Sequence, residues 1–80
     1  MGSVWLYKFG SHSITVKNEK AAELYVDGEL QDRKTGISMN AVLTGNLKTG
    51  EAIKASLGGI FAVECNLFID NVLQKPFEVR

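Results

Sequence analysis

The sequence predicts an all-β domain, an eight-stranded antiparallel β-sandwich built from two four-stranded repeats. Three observations predict it: apolar residues alternate with polar ones, turn-forming residues separate the alternating runs, and one nine-residue pattern occurs twice. An alternation with a period of two places successive side chains on opposite faces of a strand. With 80 residues, the chain has room for one domain with a thin core.

Turn-forming residues divide the chain at seven places. Gly, Asn and Asp tolerate the left-handed backbone of tight turns, so clusters of them separate strands. The breaks lie at Gly10-Ser11, Asn18-Glu19, Asp27-Gly28, Thr35-Gly36, Lys48-Thr49-Gly50, Gly58-Gly59 and Asp70-Asn71. Their near-even spacing is typical of a sandwich or a small barrel. The eight predicted strands span residues 3–9, 12–18, 22–27, 29–35, 37–47, 51–57, 60–69 and 72–78.

The alternation also predicts which residues face the core. The inward set comprises Trp5, Tyr7, Phe9, Ile37, Met39, Ala41, Leu43, Phe61, Val63, Cys65, Leu67 and Ile69. Two segments need separate treatment. Residues 18–24 have some helical character, but the run is short, so we interpret it as a connection followed by a strand start. Pro76 has no N–H for a ladder, so we expect the last strand to be an edge strand or to fray there.

A nine-residue pattern occurs twice, as ELYVDGELQ over residues 23–31 and as NLFIDNVLQ over residues 66–74. At the centre of each copy stands an Asp followed by Gly or Asn. This pair fits a two-residue type I′ hairpin turn, which needs positive φ at both positions. The predicted structural turn residues are therefore Asp27, Gly28, Asp70 and Asn71.

The match continues upstream with small gaps, so the chain divides into repeats of about residues 3–36 and 37–79. Neither four-stranded unit buries a face alone. We predict that the two units stack face to face, in a single domain over residues 1–80 with pseudo-twofold symmetry. In this arrangement Tyr25 and its match Phe68 point away from the core.

Composition excludes several functional classes. Nine basic residues balance nine acidic ones without a basic run, so we expect no nucleic-acid partner and no membrane binding. The first ten residues lack the basic start and apolar stretch of a signal peptide. One cysteine forms no internal disulfide, which favours a reducing compartment, and we expect a cytoplasmic location.

No residue set predicts a catalytic, cofactor-binding or metal-binding site. His12 is the only histidine and Cys65 the only cysteine, whereas a zinc site needs several such ligands. Asp27 and Asp70 occupy matched turns, so turn chemistry explains them better than an acid–base pair with carboxylates roughly 5–10 Å apart in a cleft. We expect a protein without enzymatic activity and without a cofactor.

Several short stretches of the chain resemble one protein family. They are Val4-Trp5, His12 and Ile14 after a Gly turn, Tyr25-Val26-Asp27-Gly28, Ile53-Lys54-Ala55 and Leu67-Phe68-Ile69-Asp70-Asn71. These resemble the β-modules of the Fas apoptotic inhibitory molecule family, which is intracellular, has two tandem all-β modules and restrains cell death. This chain has the length of one module. The resemblance implies an all-β fold without catalytic chemistry, and it carries over no functional residue.

Outward-facing apolar residues predict an interaction surface. Its candidate residues are Tyr25, Phe68, Leu6 and Val42. An apolar patch on the outside of a sandwich often marks an association site, so we expect a protein partner, including a second copy of the chain as a homodimer. The alternative is a small-ligand binder. Its pocket, between the sheets or at one open end of the sandwich, would be lined by Trp5, Tyr7, Phe9 and Phe61.

Overall fold

The computed structural model describes residues 2–35 and 40–80, and within them the chain forms nine β-strands and no helix. The all-β prediction is therefore confirmed for these residues. The strands are β1 Ser3–Phe9, β2 His12–Asn18, β3 Ala21–Val26, β4 Glu29–Thr35, β5 Ala41–Asn46, β6 Ala52–Gly58, β7 Glu64–Ile69, β8 Val72–Gln74 and β9 Glu78–Val79. The first four begin and end within one residue of their predicted bounds. The predicted residues 36–39, including Ile37 and Met39, lie outside the described residues.

The strands form two antiparallel sheets. The five-stranded sheet has the order β4-β3-β2-β1-β9, and the four-stranded sheet has the order β5-β6-β7-β8. Neighbours in sequence are mostly neighbours in space, because short turns join antiparallel strands directly. Residues 18–24, the segment with helical character, contain the end of β2, a bend at Glu19-Lys20 and the start of β3.

Both sheets contribute their inner faces to one hydrophobic core. The largest fully buried side chains come from both halves of the chain: Tyr7, Ile14, Leu24, Leu43, Ile53, Leu67 and Val16. Ala41, Val63 and Cys65 from the predicted inward set are partly buried and pack against this core. The face away from the core is called the outer face of each sheet below.

The predicted strand over residues 60–69 begins only at Glu64. Ile60 and Phe61 are 88% and 101% exposed, so the inward placement of Phe61 is wrong. The chain turns tightly here: a Cβ on Gly59 would lie 1.8 Å from the Ala62 carbonyl oxygen. The break that starts at Gly58-Gly59 therefore extends through Val63, although the apolar alternation continues through it.

The last predicted strand, over residues 72–78, is divided into two strands that belong to different sheets. β8 pairs with β7, whereas β9 pairs with β1. Pro76 lies between them and has no N–H to extend the β8 ladder. The chain crosses to the other sheet, where the Phe77 N–H donates to the Leu6 carbonyl at 2.9 Å. Residues 2–35 and 40–80 thus form nine strands, where eight were predicted for the chain.

The two matched turns have the left-handed backbone that a type I′ turn needs. φ is 49° at Asp27 and 82° at Gly28, and it is 48° at Asp70 and 66° at Asn71. Each turn joins two strands in register, β3 to β4 and β7 to β8. The right-handed twist of the strands favours this turn type.

Candidate interaction surface

The four predicted surface residues lie on two different outer faces. Leu6 and Tyr25 lie on the five-stranded sheet, in one row with Thr15 between them. Val42 and Phe68 lie on the four-stranded sheet. Leu6, Tyr25 and Phe68 each stand between two buried residues, and Val42 stands beside buried Leu43. The predicted surface is therefore two surfaces, one on each sheet.

Each surface contains the same cross-strand pair of an aromatic residue and a leucine. Tyr25 faces Leu30 across β3 and β4, and Phe68 faces Leu73 across β7 and β8. The leucines are 49% and 57% exposed. The sequence analysis did not include them in the surface. The repeat could have indicated both leucines, because Leu30 and Leu73 occupy matched positions, two residues after each turn.

Polar groups surround the Tyr25 ring on the five-stranded sheet. Lys17 Nζ lies 5.1 Å from the ring centroid, in the range of a cation–π contact. The Tyr25 hydroxyl donates to Glu23 Oε1 at 3.1 Å, and this bond raises the pKa of Tyr25. Arg33 Nε donates to Glu23 Oε2, also at 3.1 Å. This surface is therefore covered by its own charged side chains.

The surface around Phe68 on the four-stranded sheet is less polar, although Phe68 itself is partly buried, as Tyr25 is. Phe68 lies between Lys54 on β6 and Leu73 on β8. Val42, on β5, is 46% exposed. Within the part of the chain that the structure describes, none of the ion pairs and neither cation–π contact involves this outer face. Val42 and Leu73 are the exposed apolar side chains of this face, and Phe68 lies partly buried beside Leu73.

The matched turn aspartates hold the hairpins together. The Asp27 carboxylate accepts from the Ser13 N–H at 2.9 Å and from His12 Nδ1 at 2.8 Å. The Asp70 carboxylate accepts from the Ala52 N–H at 2.9 Å. The His12 hydrogen bond, followed by that from Ser13, lowers the pKa of Asp27. Each carboxylate thus bonds to the strand that precedes its own hairpin, and the bond to His12 is a contact that the sequence analysis missed.

Cys65 lies partly buried beside Tyr7, at the junction of the two sheets. Burial raises the pKa of the Cys65 thiol to about 11, so the nucleophilic thiolate is scarce at neutral pH. Burial also raises the pKa of Tyr7. The Tyr7 hydroxyl approaches the thiol but makes no hydrogen bond of acceptable geometry. The pair packs between the sheets and lacks the features of a catalytic dyad.

The predicted ligand pocket does not assemble. Trp5 and Tyr7 are buried in the core and Phe9 packs against it, whereas Phe61 projects into solvent. A depression of about 380 Å³ lies instead in the β6–β7 loop, lined by Gly59, Ile60, Phe61, Ala62 and Glu64. Residues 2–35 and 40–80 contain no group of three His, Cys, Asp or Glu side chains placed to hold a metal.

Comparison with known proteins gives no match: no family model, no curated protein and no solved structure is similar to this chain. The resemblance to the Fas apoptotic inhibitory molecule family therefore stays a prediction. None of the described segments is a helix long and apolar enough to cross a membrane.

Proposed function

We propose that this chain is a non-enzymatic protein-interaction module. It associates with protein, including a second copy of itself, through the outer face of the four-stranded sheet. The observation that carries the proposal is the difference between the two matched pairs. Charged side chains contact Tyr25, whereas no ion pair or cation–π contact of the described residues involves Phe68, and its neighbour Leu73 is 57% exposed. The Tyr25–Leu30 pair, which has the same register on the other sheet, therefore serves as the comparison for the Phe68–Leu73 pair.

The size of the face predicts weak association. Four strands about 4.8 Å apart give a face roughly 20 Å wide. The area of such a face is smaller than the roughly 800 Å² that each partner buries in a standard interface. Complete burial of an exposed large apolar side chain supplies about 1.5–3 kcal/mol, and Leu73, which is 57% exposed, would gain part of this. We therefore expect association at high micromolar to millimolar concentration.

The architecture that we propose is a sandwich of two repeats with pseudo-twofold symmetry. Equivalent turns, equivalent aromatic–leucine pairs and equivalent aspartate bonds support it. The backbone repeats as well, since the Asp27 N–H donates to the Ser13 carbonyl and the Asp70 N–H to the Ala52 carbonyl. β9 lies at the end of the second repeat and pairs with β1 of the first repeat.

A role without catalysis agrees with the placement of the reactive groups. Asp27 and Asp70 bond to backbone N–H groups, and the pKa of the Cys65 thiol is raised. The resemblance to the Fas apoptotic inhibitory molecule family, a family without established catalytic activity, points the same way. A cytoplasmic location is part of this proposal.

Sedimentation equilibrium of the purified chain, from micromolar to millimolar concentration, tests the proposal. We expect a reversible monomer–dimer equilibrium for the wild-type chain. Phe68→Lys places a charge in the centre of the face and should leave a monomer, because a buried unpaired charge is strongly unfavourable. Circular dichroism would establish that the variant is folded.

Tyr25→Lys is the matched control, because it makes the same change at the equivalent position of the other sheet. It should leave the dimer constant unchanged. A wild-type chain that is monomeric at every concentration, or equal losses in both variants, would contradict the proposed surface.

A further inference from the structure

We propose that β8 pairs with β8 of a second copy, antiparallel about Leu73, so that two four-stranded sheets form one continuous sheet. This inference rests on the proposed function, because it gives the partner and the geometry of the same surface. It follows from a comparison of the four edge strands, β4, β9, β5 and β8, together with β1, which β9 covers.

The free side of β1 is closed by β9. Three backbone hydrogen bonds join them: Val4 N–H to the Arg80 carbonyl at 2.9 Å, Arg80 N–H to the Val4 carbonyl at 2.8 Å, and Phe77 N–H to the Leu6 carbonyl at 2.9 Å. β1 therefore has no free edge to offer. The edge that β9 presents in its place carries the charged residue Glu78, whose carboxylate accepts from Arg80 Nε, and charged side chains disfavour pairing at a sheet edge.

The free side of β5 is closed by side chains from β4. The Thr44 N–H donates to Asp32 Oδ2 at 2.9 Å, and the Asn46 N–H donates to Gln31 Oε1 at 3.4 Å. Gly45 makes room for this contact, because a Cβ there would lie 3.1 Å from the Gln31 side chain. Side-chain caps of this kind occupy the donors that another strand would use.

The free side of β4 is protected by charge and by irregularity. Four of its seven residues are charged: Glu29, Asp32, Arg33 and Lys34. A bulge interrupts its register with β3 between Leu24 and Tyr25. Charged side chains and bulges are two of the ways in which proteins prevent pairing at sheet edges.

β8 lacks these devices. Its three residues, Val72, Leu73 and Gln74, carry no charge, and Val72 and Leu73 are 61% and 57% exposed. In a two-residue hairpin the residues beside the turn, Ile69 and Val72, form the hydrogen-bonded pair. The next pair, Phe68 and Leu73, is non-hydrogen-bonded, so the Leu73 N–H and C=O point away from β7.

A second copy fits this edge because the edge is self-complementary. In an antiparallel arrangement, Leu73 of each copy donates its N–H to the Leu73 carbonyl of the other copy. The outer face then presents Phe68, Leu73, Leu73 and Phe68 in one continuous apolar row, with no like charges opposed in β8. Pro76 limits the length of the pairing, which keeps it centred on Leu73.

Cross-linking tests this geometry. In a Cys65→Ala chain, Leu73→Cys would place two thiols on facing residues whose Cα atoms are about 5.5 Å apart, within the range of a disulfide. We expect a reducible dimer to form at least about tenfold faster than in the matched Leu30→Cys control, because pairing raises the effective thiol concentration. Equal rates in the two chains would overturn the inference.

A second variant separates edge pairing from contact between faces. Leu73→Pro removes the outward N–H at a position that the hairpin does not use, whereas Leu73→Ala keeps it. We expect Leu73→Pro to be folded and monomeric, with Leu73→Ala retaining more of the dimer. If Leu73→Pro dimerises like the wild-type chain while Phe68→Lys does not, the proposed function stands and edge pairing is refuted. Binding of an extended peptide in place of the second copy would also refute it.

Discussion

The His12 imidazole is hydrogen-bonded through Nδ1 to the Asp27 carboxylate at 2.8 Å, across the ends of two neighbouring hairpins. The same carboxylate accepts the Ser13 N–H. One side chain thereby joins the start of β2 to the turn between β3 and β4. The second repeat keeps the backbone bond to Asp70 and has Glu51 where the first has His12.

Because the pKa of Asp27 is lowered in the folded chain, part of the free energy of unfolding depends on pH in the acid range. The pKa in the folded chain lies below the unfolded value of 3.8, so the contribution is fully present above that pH and is lost as the pH falls through the folded pKa. Asp27→Asn should therefore reduce the slope of unfolding free energy against pH in the acid range. Urea unfolding at a series of pH values measures this slope. A slope identical to that of the wild-type chain would contradict the prediction, and His12→Ala should change it in the same direction as Asp27→Asn.

The second residue of each type I′ turn, Gly28 or Asn71, should be replaceable by the residue at the matched position of the other turn. Gly28 and Asn71 both have positive φ, so Gly28→Asn and Asn71→Gly should be tolerated. Gly28→Ala should lower the unfolding free energy by about 1–2 kcal/mol, because Ala is strained in the left-handed region. A Cβ at Gly28 meets no atom within 4 Å, so the loss of unfolding free energy would come from backbone strain at positive φ and not from a clash with neighbouring residues. Equal stability of the Ala and Asn variants in urea unfolding would contradict this account.

Removal of residues 77–80 should destabilise the five-stranded sheet. The deletion removes three backbone hydrogen bonds to β1 and should cost about 2–4 kcal/mol in unfolding free energy. Trp5, which pairs with Val79 and is only 6% exposed, should show red-shifted fluorescence. It is the only tryptophan, so the emission reports on this site alone. Arg80→Ala keeps the backbone bonds and serves as the control, and an unchanged emission after the deletion would show that β9 does not cover β1.

Tyr7→Phe should leave the chain equally stable or stabilise it by about 1 kcal/mol, because a buried hydroxyl without a partner has lost its hydrogen bonds to water. The Tyr7 side chain is 1% exposed, and its hydroxyl, which approaches the Cys65 thiol, makes no hydrogen bond of acceptable geometry with the described residues. Thermal and urea unfolding would measure the change. A loss of more than about 1 kcal/mol would mean that the hydroxyl has a partner, which contradicts its description here. Tyr7→Leu is a useful contrast, since it loses ring packing and should be destabilised.

Periodicity and turn chemistry predicted most of the fold because both act over a few residues. The first four strands and both type I′ turns follow from alternation and from Asp-Gly or Asp-Asn. The same pattern failed over residues 60–63, where IFAV alternates but the backbone has already turned at Gly59. Alternation indicates which side chains face the core in an extended segment. It does not indicate which backbone N–H groups form hydrogen bonds with a neighbouring strand.

The change of sheet after β8 was not predictable from local pattern. Pro76 marked a boundary, but pairing of β9 with β1 joins residues more than seventy positions apart. The interaction surface shows the same limit. Alternation found Tyr25 and Phe68, whereas the charged cover over Tyr25 comes from β2, β3 and β4 together. Only the assembled sheet distinguishes the two faces.

A dilution series of the ¹⁵N-labelled chain by NMR, from millimolar to micromolar concentration, would locate the surface through which the chain self-associates. We expect concentration-dependent amide shifts at Val42, Phe68 and Leu73, with Tyr25 and Leu30 unchanged. Shifts confined to the Tyr25 face, or an absence of shifts at every residue, would contradict this expectation.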